Sequence, residues 1–483
     1  MSYDVIVVGC GIAGLSAAAA AFQGGARPVV LERSPKEERG GNTRYTEAFL
    51  RMKNEHEPSE DFETKLVENS GGYPDPELVA MTATPPAQWP PLVRALSIND
   101  PEVIAKFAAS TGPAIQWLKT MGVRFDFLPT PFLTTSTTRM APSGGGRALV
   151  EALCAYLEAN DVPIHYDTAA RALVRDAAGT VVGLRAVSRG NRPVEYAGGA
   201  VVLASGGFEG NPEMLAQYLG PRALYLRPVA RGGHYNKGEG IRMALAAGAA
   251  PCGDFGSYHA EPIDPRSGMP EAANFVFPYG ILVNKEGQRF VDEAAGTVDA
   301  TYESVTRRIY NQTDGIAYSL FDAKLADVPN VRLGLRTDQP PIQADSIAAL
   351  AAALEMRPDR LEATVSAYNA ACGPGTFKAL EADGLATRGL EPPKSNWARP
   401  LDKPPFQAYP IISANVFTFG GVKVNTDAQV INTDGDVIPG LYAAGEVVGM
   451  YYRTYPGSTS VLRGAVFGRL AGEHAAALRK GGA

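Results

Sequence analysis

The sequence is poor in cysteine: four in 483 residues, Cys10, Cys154, Cys252 and Cys372, with no Cys-x-x-Cys pair among them. That scatter excludes a disulfide framework, a thiolate zinc site, a cysteine-ligated iron–sulfur cluster and a Cys-x-x-Cys-His haem attachment, and it points to a reducing, cytoplasmic home. Excess positive charge is lacking too. With 45 Lys and Arg against 51 Asp and Glu the formal charge is −6, which argues against nucleic acid as the main partner. Repeats, low-complexity tracts and heptads are missing. One long uncharged run, Val5 to Ala26, stands out. Met-Ser-Tyr-Asp precedes it where a signal peptide would be basic, and it carries three glycines in six residues near its start. Buried soluble structure without a membrane span is therefore expected. What remains is ordinary globular usage, 45% apolar and 20% charged, in a chain long enough for two or three domains.

Tyr3 to Val8 is a β-branched apolar run suited to a central parallel strand. Gly9-Cys10-Gly11-Ile12-Ala13-Gly14 follows at once, then an alanine-rich helical stretch, Leu15 to Phe22, closed by Gly24-Gly25. Pro28 to Leu31 reads as a second strand, and Glu32 stands eighteen positions after Gly14. A GxGxxG sequence alone is no more than a glycine-rich turn. Between a strand and a helix, with an acid at the end of the next strand, it predicts a dinucleotide site. The first glycine permits the turn, the second lets backbone approach a pyrophosphate, the third lets helix meet strand, and the carboxylate takes ribose hydroxyls. Glu32 disfavours a 2'-phosphate, leaving FAD or NAD.

The far end of the chain favours FAD. Gly440 to Glu446 is another apolar strand ending in glycine and an acid, after a hairpin-like Asp434-Gly435 turn. A nucleotide fold begun at residue 5 and completed near 445 must hold an inserted domain. Pro456 to Ser460 then precedes a helical stretch, Val461 to Leu478, whose free N-terminal amides favour the negative charge a reduced flavin develops.

These segments resemble the FAD-dependent fumarate reductase and succinate dehydrogenase flavoprotein superfamily. The likeness rests on Val5 to Gly14, Arg39 to Thr43, Val201 to Phe208, Asn236 to Gly240, Gly287 to Glu293, Thr418 to Val422, Leu441 to Glu446 and Val466 to Arg469. Within it, Glu38 to Asn42, Asp292-Glu293 with Thr301-Tyr302, and Tyr455-Pro456-Gly457 look most like the tricarballylate dehydrogenase branch. The resemblance implies a Rossmann-like α/β FAD-binding domain with a parallel sheet (residues 1–241 and 396–483), interrupted by a smaller α+β cap domain (242–395). It implies noncovalent FAD, since no histidine lies between Arg33 and Arg51 to form the covalent link of respiratory members. The implied cofactor contacts are Gly9, Gly11, Ala13, Gly14, Glu32, Arg33, Gly41, Asn42, Thr43, Ala170, Ser205, Gly206, Asn236, Glu446, Ser460 and Val461. Of these, Glu446 would meet the ribityl chain, Ala170 the adenine, and the Ser460 and Val461 amides the isoalloxazine.

Elsewhere, Phe107 to Leu118 and Ala148 to Ala159 read as helices, Ile164 to Ala170 and Val181 to Val187 as strands, and Ala344 to Ala371 as helical and mostly solvated.

The reaction the resemblance implies is interconversion of CH–CH and C=C beside a carboxylate or ketone, by hydride exchange with flavin N5. A desaturating dehydrogenase is the first expectation. An enoate reductase, a ketosteroid-dehydrogenase-like desaturase and a non-enzymatic FAD sensor are the alternatives. Without an iron–sulfur or haem ligand set, electrons would leave through another protein, a quinone or oxygen. In fumarate-reducing relatives an arginine delivers the proton, but here Val298 falls at its position and Phe417 replaces a substrate-binding histidine. Tyr302, beside the vacated position, becomes the candidate proton-transfer group, with His259 and Arg307 beside it as catalytic candidates. Arg44, Arg139 and Arg453 are placed to hold a substrate carboxylate. Tyr455, with Tyr451 and Tyr452, would form an aromatic wall favouring a ring-bearing or extended substrate.

Overall fold

The computed structural model describes residues 2–68, 75–127 and 140–481. Its first sheet grows from the N-terminal apolar strand β1 (Ser2–Val8), followed by helix α1 (Ile12–Gln23) and strand β2 (Pro28–Leu31). Val5 pairs with Pro28 and Val8 with Leu31 in parallel register. All four β2 residues are buried, as a strand covered on both faces requires. The helix ends at Gly24, and Gly25 takes the left-handed conformation, φ 88°.

Helices α2 (Pro101–Thr120) and α3 (Gly145–Ala159) are longer than their sequence periods indicate. Pro101 at the first helical turn and Asp100, whose side chain accepts from the Glu102 amide, start α2 earlier than its apolar period does. The strand expected over Ile164 to Ala170 divides into β3 (Ile164–His165), parallel to β2, and β4 (Ala169–Arg175), which pairs antiparallel with β5 (Val181–Ser188). Asp167, at φ 50°, makes the corner between them. Strand β6 (Arg192–Leu203) pairs with both β5 and β1, so a β-hairpin extension joins the parallel sheet at its middle.

The second, six-stranded sheet contains β7 (Tyr258–Ile263), β8 (Ile281–Val283), β9 (Ile316–Phe321) and the long β10 (Phe406–Thr418). Strand β10 pairs antiparallel with β7 and β9. It therefore belongs by hydrogen bonding to the second sheet although it lies beyond residue 395, and its last residues run on toward the first. Helix α4 (Val298–Tyr310) packs over this sheet. The segment expected to be helical from Ala344 to Ala371 is two helices, α5 (Ile347–Ala353) and α6 (Pro358–Ala371), because Glu355 turns left-handed and Pro358 begins a new first turn.

The chain then returns to the first sheet through β11 (Gln429–Ile431) and β12 (Val437–Ala443), an antiparallel pair around Gly435 at φ 84°. Strand β12 docks parallel to β6 with Leu441 opposite Val201. The central order is β11-β12-β6-β1-β2-β3. The last helix, α7 (Ser460–Gly481), lies against α1. A Cβ at Gly468 would stand 2.2 Å from the Ala13 carbonyl oxygen, and one at Gly472 the same distance from that of Ala17. The small residues of α1 and α7 thus bring the two ends of the chain into backbone contact. Among the described residues no helix is long and apolar enough to cross a membrane.

A dinucleotide cleft and a buried histidine box

The cleft opens where β1 meets α1. Gly9 has φ 109°, and a Cβ on it would sit 2.3 Å from the Ala204 carbonyl oxygen. A Cβ on Gly14 would lie 1.9 Å from the carbonyl oxygen of Gly9, so helix and turn close only around a hydrogen atom. Gly11 is less crowded, its nearest neighbour being Thr43 Oγ1 at 3.3 Å. The Glu32 carboxylate accepts from the Cys10 amide at 2.7 Å and the Ser34 amide at 2.8 Å. Burial raises its pKa, and the two amides oppose that shift. About 1150 Å³ of empty space, open solvent at the mouth included, lies in this cleft. Every residue named above for the cofactor lines it except Gly14, which supports the turn from behind.

At the inner end the polar groups are carboxyls and amides. Asn42 Nδ2 donates to Glu209 Oε1 and to the Val416 carbonyl at 2.6 and 2.8 Å, and Asn236 donates to the same Glu209 oxygen at 2.5 Å. Glu446 accepts from the Thr418 amide at 2.8 Å. Burial and the neighbouring Glu446 carboxyl drive the Glu209 pKa well upward. Burial likewise raises Glu446, while the Thr418 amide opposes it. Asn42 Oδ1 and Ser205 Oγ are buried without a hydrogen-bond partner. Unmet polar atoms along a glycine-lined crevice fit a ligand with hydroxyls and phosphates, as a flavin dinucleotide has.

Other candidates in and around the cleft are already engaged. Arg33 binds Glu239 at 2.6 Å, and Arg44 binds Glu151 at 2.7 Å. The Ser460 amide, expected to face the isoalloxazine, donates to the Tyr455 hydroxyl at 3.0 Å beside the Thr459 amide at 2.8 Å. Tyr455 thus caps the start of α7 as well as forming part of an aromatic wall. Arg453 is exposed, and Arg139 lies outside the described residues.

Behind Phe417, which lines the cleft, is a buried box around His259. Strand β7 carries His259 opposite Phe417 on β10. Helix α4 brings Tyr302, Glu303 and Arg307 over it. The Tyr302 hydroxyl lies 3.3 Å from His259 Nε2. Glu261 Oε1 is 3.5 Å from the same nitrogen, and Glu303 Oε2 is 3.7 Å from Nδ1. Burial pulls the His259 pKa down, but the two carboxylates outweigh it and the net shift is upward. Burial pushes Glu303 up, and His259 and Arg307 bring it below its ordinary value. The rings of Tyr455, Phe417 and Tyr302 stand 4.5, 5.2 and 5.8 Å from the imidazole. Arg307 donates to Glu303 Oε1, Ser257 Oγ and the Tyr258 carbonyl, so it braces α4 against β7. Val298 begins α4 and packs, partly buried, against the cluster of Phe277, Leu282, Val305 and Ile309.

Sequence reasoning passed over Glu209, Glu261 and Glu303. Two of them carried a signal: Glu261 shares a strand face with His259 by the period of two, and Glu303 is four residues before Arg307 on one helix. Glu209, directly after the Val201 to Phe208 segment, had none that separates it from a solvated acid.

A two-lobed flavoprotein fold with a dinucleotide cleft is thus defined by the architecture. The chain matches the FAD binding domain family over residues 4–462. It belongs to that family, within the fumarate reductase and succinate dehydrogenase flavoprotein superfamily, and is an FAD-dependent oxidoreductase. It is 28% identical to the fumarate reductase (cytochrome) of Shewanella frigidimarina over 99% of this chain and 77% of that one. It is 27% identical to the vinyl phenol reductase of Lactiplantibacillus plantarum over 98% and 96%. With the NADH:fumarate oxidoreductase of Klebsiella pneumoniae it shares 28% identity over 99% of its length, which spans 48% of that protein. Its fold matches the open conformation of a flavocytochrome c3 fumarate reductase with TM-score 0.74 at 23% identity, covering 99% and 78% of the chains. It matches a 3-ketosteroid-Δ4-(5α)-dehydrogenase from Rhodococcus jostii with TM-score 0.67 at 26% identity, covering 98% and 97%. The superfamily is supported by these relatives. The narrower tricarballylate branch is not, and none of those named here carries that activity.

Proposed function

We propose that this chain moves hydride across a carbon–carbon bond next to a carbonyl or carboxylate, with CH–CH on one side and C=C on the other. The observation that carries this reading is the Tyr302–His259 contact, 3.3 Å long, in a buried box directly behind a cleft-lining residue. Bound FAD supplies a two-electron hydride acceptor or donor. The chain's residues do the rest. Gly9, Gly11, Thr43 and Glu32 hold the dinucleotide end, Ala170 the adenine side, and Asn42, Asn236, Ser205 and Glu446 the inner end. In this reading FAD is held noncovalently, as the resemblance implies for a chain with no histidine between Arg33 and Arg51. Tyr302 exchanges the proton with the substrate carbon, polarised by His259, which Glu261 and Glu303 orient. Phe417 and Tyr455 keep water from the reacting centre.

Residues 242–395 form the cap in this reading, and 1–241 with 396–483 the FAD-binding domain, with β10 reaching from one into the other. Desaturation and reduction are one reaction run in two directions. The reductase names of the fumarate and vinyl phenol relatives favour reduction, whereas the dehydrogenase name of the Rhodococcus jostii relative favours desaturation. Stopped-flow measurement of flavin reduction tests the assignment. Tyr302→Phe is expected to slow the step by at least about tenfold with FAD content intact; unchanged kinetics would reject Tyr302.

A further inference from the structure

One buried cation in the wall of the cleft has no acid paired with it. Arg463 stands in the first turn of α7 and lines the inner end of the cleft with Phe417, Glu446 and Val461. It is 1% exposed. Its Nη1 donates to the Val448 carbonyl at 2.9 Å, and its Nε is buried without a hydrogen-bond partner. The guanidinium lies 4.4 Å from the centre of the Tyr451 ring and 5.9 Å from that of Phe417. Arg33, Arg44 and Arg307 each have a carboxylate against them; among the described residues Arg463 has none.

A guanidinium stays charged at any ordinary pH, and a buried charge without a counter-ion is costly. Two ring faces and one carbonyl offset that cost in part. The charge is also felt across the cleft wall. Burial raises the Glu446 pKa, and Arg463 is among the groups that oppose the rise, after the Thr418 amide. Burial raises the Tyr451 phenol, and Arg463 again opposes it. His259, whose ring stands 5.2 Å from the Phe417 ring, is different, because Glu261 and Glu303 flank it. A guanidinium so nearly closed has little open face with which to grip a substrate carboxylate. Its field is another matter, since burial strengthens it. The charge it can answer is one that arises inside the cleft. Two electrons and one proton, taken from substrate as hydride, leave one net negative charge on FAD.

We propose that Arg463 is the counter-charge of reduced FAD: it raises the cofactor's reduction potential and holds the reduced form as its anion, which eases hydride uptake from substrate. It acts through the cleft wall, as a positioning charge and not as a catalytic residue. Tyr302 and His259 have no part in this role.

The midpoint potential of the FAD-loaded protein, poised against a reference dye without substrate, tests the assignment. Arg463→Met removes the charge and keeps an unbranched apolar stem. It should lose at least about tenfold of the preference for reduced over oxidised FAD, a fall of about 30 mV for a two-electron couple. Arg463→Lys keeps the charge and should fall by less than half as much. An unchanged potential in Arg463→Met overturns the assignment, and so do equal falls in the two variants, which would mean lost packing. The parent protein gives a second reading that needs no variant. The near-ultraviolet band of its reduced flavin, which differs between the anion and the neutral form, should keep its anionic shape from about pH 8 down to about pH 5.5. Conversion to the neutral shape within that range also overturns the assignment. The band reports the flavin itself, so a proton taken up by Glu209 or Glu446 does not imitate that conversion. With no substrate present, both readings are independent of proton transfer by Tyr302, and the Tyr302→Phe kinetics succeed or fail separately.

Discussion

The cofactor cleft and the His259 box are adjacent but built by different means. In the cleft, backbone makes the shape: Gly9 and Gly14 exclude any side chain, and Glu32 is fixed by the amides of Cys10 and Ser34. In the box, side chains from β7, α4, β10 and the loop before α7 make the shape, and carboxylates rather than amides set the electrostatics. The difference teaches where tolerance lies. A backbone cradle fails when a single methyl group is added, whereas a side-chain box is retuned by exchange of one polar group.

The sharpest way to break this comparison is Gly14→Val. Its Cβ would overlap the Gly9 carbonyl oxygen, 1.9 Å away, and neither group is free to move. FAD retention through gel filtration should be abolished; a yellow, fully loaded variant would show that the turn is not a backbone cradle. Next in size is Glu446→Ala, which removes the acceptor of the Thr418 amide at the inner end of the cleft. FAD binding should weaken by about tenfold, in line with loss of a charged hydrogen-bond partner. Full occupancy in a dilution series would count against a cofactor role for Glu446.

The smallest effect belongs to the box and reads its charge. The folded pKa of His259 is raised above its ordinary value, so its charged form stabilises the fold. That contribution is fully present below about pH 6.5, the unfolded value, and is lost as pH rises through the higher folded value. The melting temperature of the parent protein relative to His259→Asn should therefore fall by about 1–3 °C from pH 6 to pH 9. A difference that is flat or grows with pH would mean that Glu261 and Glu303 do not hold a charged imidazole.

The legibility of the two regions differs for the same reason. Strand β2 has the bounds its apolar run indicates, and Gly9 to Gly14 with Glu32 could be placed because turn, strand and acid are close in the chain. The break between α5 and α6 was harder to see, because Glu355 gives no local signal for a left-handed residue. Tyr302 and His259 were singled out as types, but their contact joins residues 43 positions apart on a helix and a strand. The two guanidiniums of Arg44 and Arg307 show the limit in the other direction. Arg44 was expected to hold a substrate carboxylate and Arg307 to act in catalysis, and each is paired with a carboxylate the chain folds against it.

The sequence by itself determined that a dinucleotide crevice exists, what turn it uses and that the chain must leave and re-enter one sheet. The crevice and its turn follow from glycines, β-branched runs and an acid within a few dozen residues, where sterics and hydrogen bonding act locally, and the re-entry follows from a second apolar strand ending in glycine and an acid near residue 445. Only the tertiary structure decided that His259 is flanked by two carboxylates, that Tyr455 caps α7 and that Arg463 is buried in the cleft wall. Those facts depend on which distant groups share a buried volume, and in such a volume each charge and each unmet lone pair weighs far more than it does in water.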